Sequence, residues 1–332
     1  MRKNRGKLLL AQTANRRDEF DPLKRYADIY WLDEMDEQEQ ARVLPMVDCL
    51  YSHGWPRALD AARVSMMKSL RLYQAGNAGV NNVRFDLLDK KVVVCSNAGG
   101  YSDEVAEFAI GLMLAAGKSI VKFDRQLRSG AFEHQRLDDV GRQVAFFSGK
   151  TIGIVGYGGI GRSTARLAKP FGMNVLAFGR HLVNERGVSL LRGRSGLMRL
   201  LRDSDVVVLA VPLTKITKGM IGREELAAMR PSATLVNVAR GEIVKKEAVY
   251  DHLVKNQGFV YATDVWWPDD EGTETFSPDL PFLELENFIG TPHASGPSAI
   301  ISGMVARGVV ENLTRYFKGL PLRNVVDRTE YA

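Results

Sequence analysis

Gly156-Tyr157-Gly158-Gly159-Ile160-Gly161 has the spacing G-x-G-x-x-G. It follows the apolar run Thr151 to Val155 and opens a helix predicted over Gly159 to Ala168, the setting in which such glycines hold a pyrophosphate. The first glycine permits the tight turn, the second lets phosphate approach the backbone, and the third lets helix and strand pack closely. The helix N-terminus supplies amides and positive dipole for the anion. A ligand-free strand–helix turn is the alternative, and the flanking elements favour a dinucleotide. An acid at the end of the next strand would accept from the ribose 2′-hydroxyl and select NAD. That strand, Asn174 to Phe178, ends instead in Gly179-Arg180-His181. Glycine leaves room for a 2′-phosphate, and the planar guanidinium of Arg180 can pair with one. This favours NADP(H), with NAD(H) possible and Arg180 as a plain surface residue the competing reading. Glu185 lies too far along the loop to replace the missing acid.

Five histidines occur, at 53, 134, 181, 252 and 293. His134 and His252 read as surface residues, and His181 belongs with the cofactor loop. His293 lies in Thr291-Pro-His-Ala-Ser-Gly296, directly after an apolar strand. Arg240 follows the strand Thr234 to Val238 in Val-Ala-Arg-Gly-Glu242, and Asp264 ends the strand Val260 to Val265. The carboxyl ends of parallel strands face the ligand crevice. Taken alone, His293 reads equally as a structural loop residue. Arg240 reads as a ligand clamp or as an ion pair with Glu242.

The elements that must position these groups alternate. Strands are predicted at Lys7–Gln12, Ala27–Leu32, Cys49–Ser52, Leu70–Ala75 and Val92–Ser96, with helices at Glu37–Val47 and Ala58–Met67. A long helix over Asp103–Leu127 follows. Six more strands start at Thr151, Asn174, Asp205, Thr234, Val260 and Phe288, and a helix over Pro297–Phe317 closes the chain. Such alternation means parallel sheets covered by helices. The expected fold is α/β, with two doubly wound parallel-sheet domains and a cleft between them. Residues 1–101 and 298–332 would form a discontinuous, flavodoxin-like substrate domain, and 102–297 a Rossmann dinucleotide-binding domain.

The chain's 332 residues suit two domains. With 45% hydrophobic and 25% charged residues it is neither disordered nor collagen-like. Cys49 and Cys95 cannot build a disulfide framework or a zinc site, so no metal is expected and a cytoplasmic setting is. No apolar run approaches the ~18 residues of a membrane span. The net charge of +6 raises the question of nucleic acid. However, no helix-turn-helix, finger or aromatic platform is present, and the basic residues cluster at 1–17 and at 180–202.

Leu72-Tyr-Gln-Ala-Gly-Asn-Ala-Gly79, Val105-Ala-Glu107, Gly156 to Arg162, Val211-Pro-Leu-Thr214, Val236-Asn-Val-Ala-Arg-Gly241, Thr263-Asp-Val265 and Thr291-Pro-His293 occur in that order. Together they resemble the D-isomer-specific 2-hydroxyacid dehydrogenases, over about residues 70 to 320. The resemblance implies reduction of small 2-keto acids such as glyoxylate, hydroxypyruvate or an aryl-pyruvate. Arg240 would clamp the substrate and His293 would act as general acid–base. Ala78 and Gly79 would bind the carboxylate through backbone amides, and His53 and Tyr101 would shape the substrate site. The implied cofactor set is Gly156, Gly158, Gly159, Ile160, Gly161, Gly179, Arg180, His181, Val211, Pro212, Thr217, Val238, Ala239, Asp264, His293 and Gly296. Asp264 would lie near the nicotinamide carboxamide. The helix of 103–127 would help form a homodimer.

One departure concerns the family's glutamate that orients the histidine. Asp269 stands at its position, and Glu271 could substitute for it. Asp-Val-Trp-Trp-Pro resembles the formate dehydrogenase version of this loop, but that subgroup has glutamine where Asp269 stands and asparagine where Tyr101 stands. Formate oxidation therefore ranks below keto-acid reduction. A dinucleotide-sensing corepressor-like scaffold is a further alternative.

Overall fold

The computed structural model describes residues 5–11, 17–132, 145–180, 184–268, 276–296 and 302–331. By contacts the chain divides into two compact units, Met1–Tyr101 with Pro297–Ala332, and Ser102–Gly296.

The first unit contains β1 (Gly6–Leu10), β2 (Ala27–Trp31), α1 (Glu37–Val43), β3 (Cys49–Ser52), α2 (Ala61–Met66), β4 (Leu72–Ala75) and β5 (Val93–Cys95). Its five parallel strands run in the order β2-β1-β3-β4-β5. Both faces are covered, so Leu8, Leu9 and Leu10 are all buried. Leu9, Leu50, Tyr73 and Val94 pack with Val43, Leu44 and Val64 on one side. Leu8, Leu10, Cys49 and Leu72 pack with Phe20 and Leu23 on the other. The predicted helix at 37–47 ends at Val43 and tightens into a 3₁₀ turn, Leu44–Met46, because Pro45 has no N–H to continue it. The helix predicted from Ala58 starts at Ala61, because the Asp60 carboxylate caps it by accepting from Arg63 N at 2.8 Å. The N-terminal basic cluster has a structural use: Arg5 and Lys7 pair with Asp28 at 3.1 and 2.5 Å, and Arg17 pairs with Glu34.

The second unit begins with α3 (Ser102–Gly117) and α4 (Ile120–Arg128), not the single helix that the apolar pattern predicts. Ser119 adopts the left-handed region at φ 51° and breaks it. There follow β6 (Thr151–Val155), α5 (Gly159–Ala168), β7 (Asn174–Phe178), β8 (Val188–Leu191), α6 (Gly193–Asp203), β9 (Val206–Leu209), α7 (Arg223–Ala228), β10 (Thr234–Asn237), α8 (Lys246–Lys255), β11 (Val260–Thr263) and β12 (Phe288–Gly290). The seven strands, all parallel, run β12-β11-β10-β9-β6-β7-β8. β8 is absent from the sequence expectation. The last helix, α9 (Ser302–Phe317), belongs to the first unit, where Val309 and Leu313 pack against Leu8, Leu10 and Phe20.

Strand order reverses between β6 and β9 in the second sheet and between β1 and β3 in the first. Ligands of open α/β sheets bind at the carboxyl ends of the strands beside such a switch point.

Candidate functional site

At the switch point of the seven-stranded sheet, Gly156 N donates to Phe178 O at 2.8 Å, and Ala210 N donates to Val155 O at 2.8 Å. Gly156 has φ 102°, and a Cβ there would overlap the Ala210 carbonyl. A Cβ on Gly161 would overlap the Gly156 carbonyl oxygen, so both glycines are demanded by packing. Gly158 is different: its Cβ would point into open space, with nothing within 4 Å. The first turn of α5, Gly159-Ile160-Gly161, has no side-chain cap, which leaves its amides available to an anion. Room beside Gly158 and these amides fit a pyrophosphate.

β7 leads into Gly179 and an exposed Arg180, while His181 lies outside the described residues. Glu185 accepts from the Tyr157 hydroxyl at 2.7 Å and from Lys169 Nζ at 2.8 Å. The Lys169 and Tyr157 donors hold its carboxyl below the ordinary value, while burial and the Glu185 bond push the Tyr157 phenol up. After β9, Thr217 Oγ1 donates to Pro212 O at 2.5 Å and accepts from Thr214 N at 2.8 Å. This hydroxyl folds the loop that carries Val211 and Pro212.

Arg240 leaves the end of β10 half-buried, donating from Nη1 to Ala239 O at 2.7 Å. Buried Asn237 fixes this exit: its Nδ2 donates to Arg240 O at 2.9 Å and its Oδ1 accepts from Ala239 N at 3.0 Å. Val238 and Ala239 are buried. Gly241 must be glycine, because a Cβ there would overlap the Trp266 carbonyl.

Asp264 leaves β11 fully buried. Its Oδ1 accepts from Thr291 Oγ1 at 2.5 Å and Ala294 N at 2.8 Å, and its Oδ2 accepts from Ser295 N at 2.8 Å. Between these donors lies His293, exposed, with backbone in the left-handed region at φ 55°. Trp266 Nε1 donates to Thr291 O at 2.9 Å, and Trp267 Nε1 to Val244 O at 2.8 Å. Both indoles are buried in the core, so the tryptophan pair behind the formate-type likeness serves packing. Gly296 follows Ser295, half-buried. Asp269 and Glu271 lie outside the described residues.

In the first unit, His53 follows β3, and Ala78 and Gly79 follow β4. Asn77 joins these loops: its Oδ1 accepts from Gly54 N at 2.5 Å, its Nδ2 lies 3.4 Å from His53 Nε2, and its carbonyl accepts from Asn97 N at 2.8 Å. Gly76 is confined by the Tyr51 hydroxyl and His53 Nδ1, which a Cβ would meet at 2.8 and 2.9 Å. Tyr101 is half-buried.

The second unit thus brings the glycine turn, Arg180, Pro212, Arg240, Asp264 and His293 to one edge of one sheet. Asn77, Asn237 and Thr291 are supporting residues that motif reasoning missed. Their only sequence signal was position inside the matching stretches. His252, expected at the surface, packs edge-on to Phe259 at 4.6 Å between ring centroids, and desolvation lowers its pKa. Among the described residues, no group of three or more His, Cys, Asp or Glu side chains could hold a metal, and no helix is long and apolar enough to cross a membrane.

A doubly wound sheet with an anion-binding turn at its switch point defines a class of dinucleotide-binding folds. The family model described as the NAD binding domain of D-isomer-specific 2-hydroxyacid dehydrogenases matches residues 110–295. The chain is 33% identical over 307 residues to a glyoxylate reductase from Korarchaeum cryptofilum, covering 90% of this chain and 89% of that one. It is 32% identical over 294 residues to a D-3-phosphoglycerate dehydrogenase from Archaeoglobus fulgidus, covering 88% of this chain. The chain spans about half, 54%, of that relative's length. Among solved structures, a glycerate dehydrogenase related protein from Thermoplasma acidophilum superposes with a TM-score of 0.61 at 30% identity, over 94% of this chain and 99% of that one. The chain belongs to the D-isomer-specific 2-hydroxyacid dehydrogenase family.

Proposed function

We propose that the protein is an NADPH-preferring reductase of small 2-keto acids, of the glyoxylate, hydroxypyruvate or aryl-pyruvate type, yielding D-2-hydroxy acids. The observation that carries this reading is the common sheet edge shared by Arg240, His293 and the glycine turn. Gly156, Gly158, Gly159, Ile160 and Gly161 would hold the pyrophosphate, and Gly179 and Arg180 the adenosine 2′-phosphate. The bound reduced nicotinamide supplies the hydride. Arg240 pairs with the substrate carboxylate and polarises its carbonyl. His293 gives a proton to the carbonyl oxygen, and Asp269 or Glu271 orients the imidazole. Backbone amides of Ala78 and Gly79 bind the carboxylate, with His53 and Tyr101 shaping the substrate site. General acid–base assistance of this kind is worth about 10²–10⁴-fold.

The protein acts as a homodimer in this reading. Support comes from exposed apolar side chains: Leu127, near the end of α4, is 58% exposed, and Phe132 and Phe146 are 74% and 73% exposed. The test is cofactor oxidation against a panel of 2-keto acids, with NADPH and NADH compared. Turnover of a keto acid with NADPH favoured is the expected result. Binding of dinucleotide without turnover of any keto acid would replace this reading with the scaffold alternative.

A further inference from the structure

His293 is an exposed residue on a loop whose backbone adopts the left-handed conformation, one that few non-glycine residues take, although histidine, like asparagine and aspartate, enters it more often than most. Something must hold that conformation. The donors that flank His293 all converge on one carboxylate. Thr291 Oγ1 and Ala294 N donate to Asp264 Oδ1 at 2.5 and 2.8 Å, and Ser295 N donates to Oδ2 at 2.8 Å. The carboxylate is itself fixed: Asp264 N donates to Asn237 O at 3.0 Å, and the residue is fully buried at the end of β11. His293 N closes the turn by donating to Thr291 O at 3.0 Å.

We infer that Asp264 is a positioning residue whose carboxylate sets the backbone from which His293 presents its imidazole. The inference rests on the proposed proton-donor role of His293. Both carboxylate oxygens must accept, because all three groups facing them are donors. Asparagine would keep the size but turn an NH₂ toward one of those donors, leaving a buried N–H or O–H opposed by another donor. The Thr291 hydroxyl is the one side-chain donor of the three, so its loss weakens the hook without touching the rest of the loop.

The experiment compares Asp264→Asn, Thr291→Val, Thr291→Ser and His293→Asn in the full chain. It measures kcat with whichever of glyoxylate and hydroxypyruvate is turned over faster, and NADPH affinity by fluorescence titration. Displacing a catalytic group lowers turnover while leaving remote binding intact, so Asp264→Asn is expected to lower kcat about tenfold or more. Thr291→Val should lower kcat several-fold and Thr291→Ser restore it. The NADPH Kd of Thr291→Val, a residue outside the implied cofactor set, should stay within about threefold, a split that a direct cofactor contact would not give. An Asp264→Asn enzyme with weakened NADPH binding and unchanged kcat would overturn the inference. So would a Thr291→Val enzyme equal to wild type, which decides the matter even where Asp264→Asn does not fold. A fully active His293→Asn enzyme would instead remove the proton-donor reading itself.

Discussion

Tyr157, inside the glycine turn, donates its hydroxyl to Glu185 across 2.7 Å, although 28 residues separate them. The same carboxylate accepts from Lys169 at the far end of α5. The segment carrying Arg180 is therefore anchored at both sides. Before it, β7 hydrogen-bonds to β6 up to Val155↔Phe178. After it, Glu185 ties the chain back to the turn. Glu185, the acid that follows Arg180 in this segment, is paired with Lys169 at 2.8 Å.

Arg180→Ala is expected to raise the KM for NADPH about tenfold or more while changing that for NADH little, since a charge-assisted bond to the 2′-phosphate is lost only with the former. Steady-state kinetics with both cofactors measure it. Equal effects on the two would remove the 2′-phosphate assignment.

The Glu185 ion pair has a defined pH sign. Its folded value is lowered below the ordinary 4.5 by Lys169 and the Tyr157 hydroxyl. A lowered carboxylate contributes stability that is fully present above the unfolded value and lost as pH falls through the folded one. Melting temperatures of wild type and Glu185→Gln should therefore differ at neutral pH and converge as the pH drops below 4.5. A gap that stays constant into strong acid would show that the charge is not what stabilises this contact.

The layout of the fold was legible because buried parallel strands read as apolar runs and glycines punctuate them. Arg240, Asp264 and His293 could be placed at strand ends for the same reason. The missed strand, Val188–Leu191, is a short edge strand that is partly exposed and flanked by arginines, so it lacks the apolar signature of its neighbours. The broken helix was missed because the apolar stripe runs through Gly117 and Ser119, while the break lies in one backbone angle. The supporting contacts were invisible for a different reason. Asp264 and Ser295 are 31 residues apart, and Asn77 and Gly54 are 23 apart. Pairings made across loops leave no periodicity to find.

Gly241→Ala should damage both stability and catalysis. The added methyl meets backbone of Trp266, which cannot rotate away as a side chain tip could. Overpacking of this kind costs about 1–3 kcal/mol. Because Arg240 directly precedes Gly241, the KM for the keto acid should rise as well. Denaturant midpoints and kinetics of the same variant measure the two effects together. Wild-type values for both would contradict the close approach.

Leu127→Glu is expected to shift a homodimer toward monomer. Leu127 is 58% exposed on α4, a helix with no buried residue of its own, so the unpartnered chain tolerates the charge there while an apolar interface does not. Light scattering coupled to size exclusion gives the mass of each variant. A dimer that survives this change, or a wild type already monomeric, would place any association elsewhere.

His293→Asn is the most direct test of the proposed chemistry, and asparagine is chosen for a backbone reason. At φ 55° alanine would add strain of its own, whereas asparagine visits the left-handed region readily. The substitution removes the imidazole and leaves the hook to Asp264 intact, because that hook is made by Thr291, Ala294 and Ser295. Loss of a general acid should lower kcat by about 10²–10⁴-fold. The melting temperature should stay near wild type, since His293 is exposed. Turnover close to wild type would require another group to deliver the proton and would end the assignment.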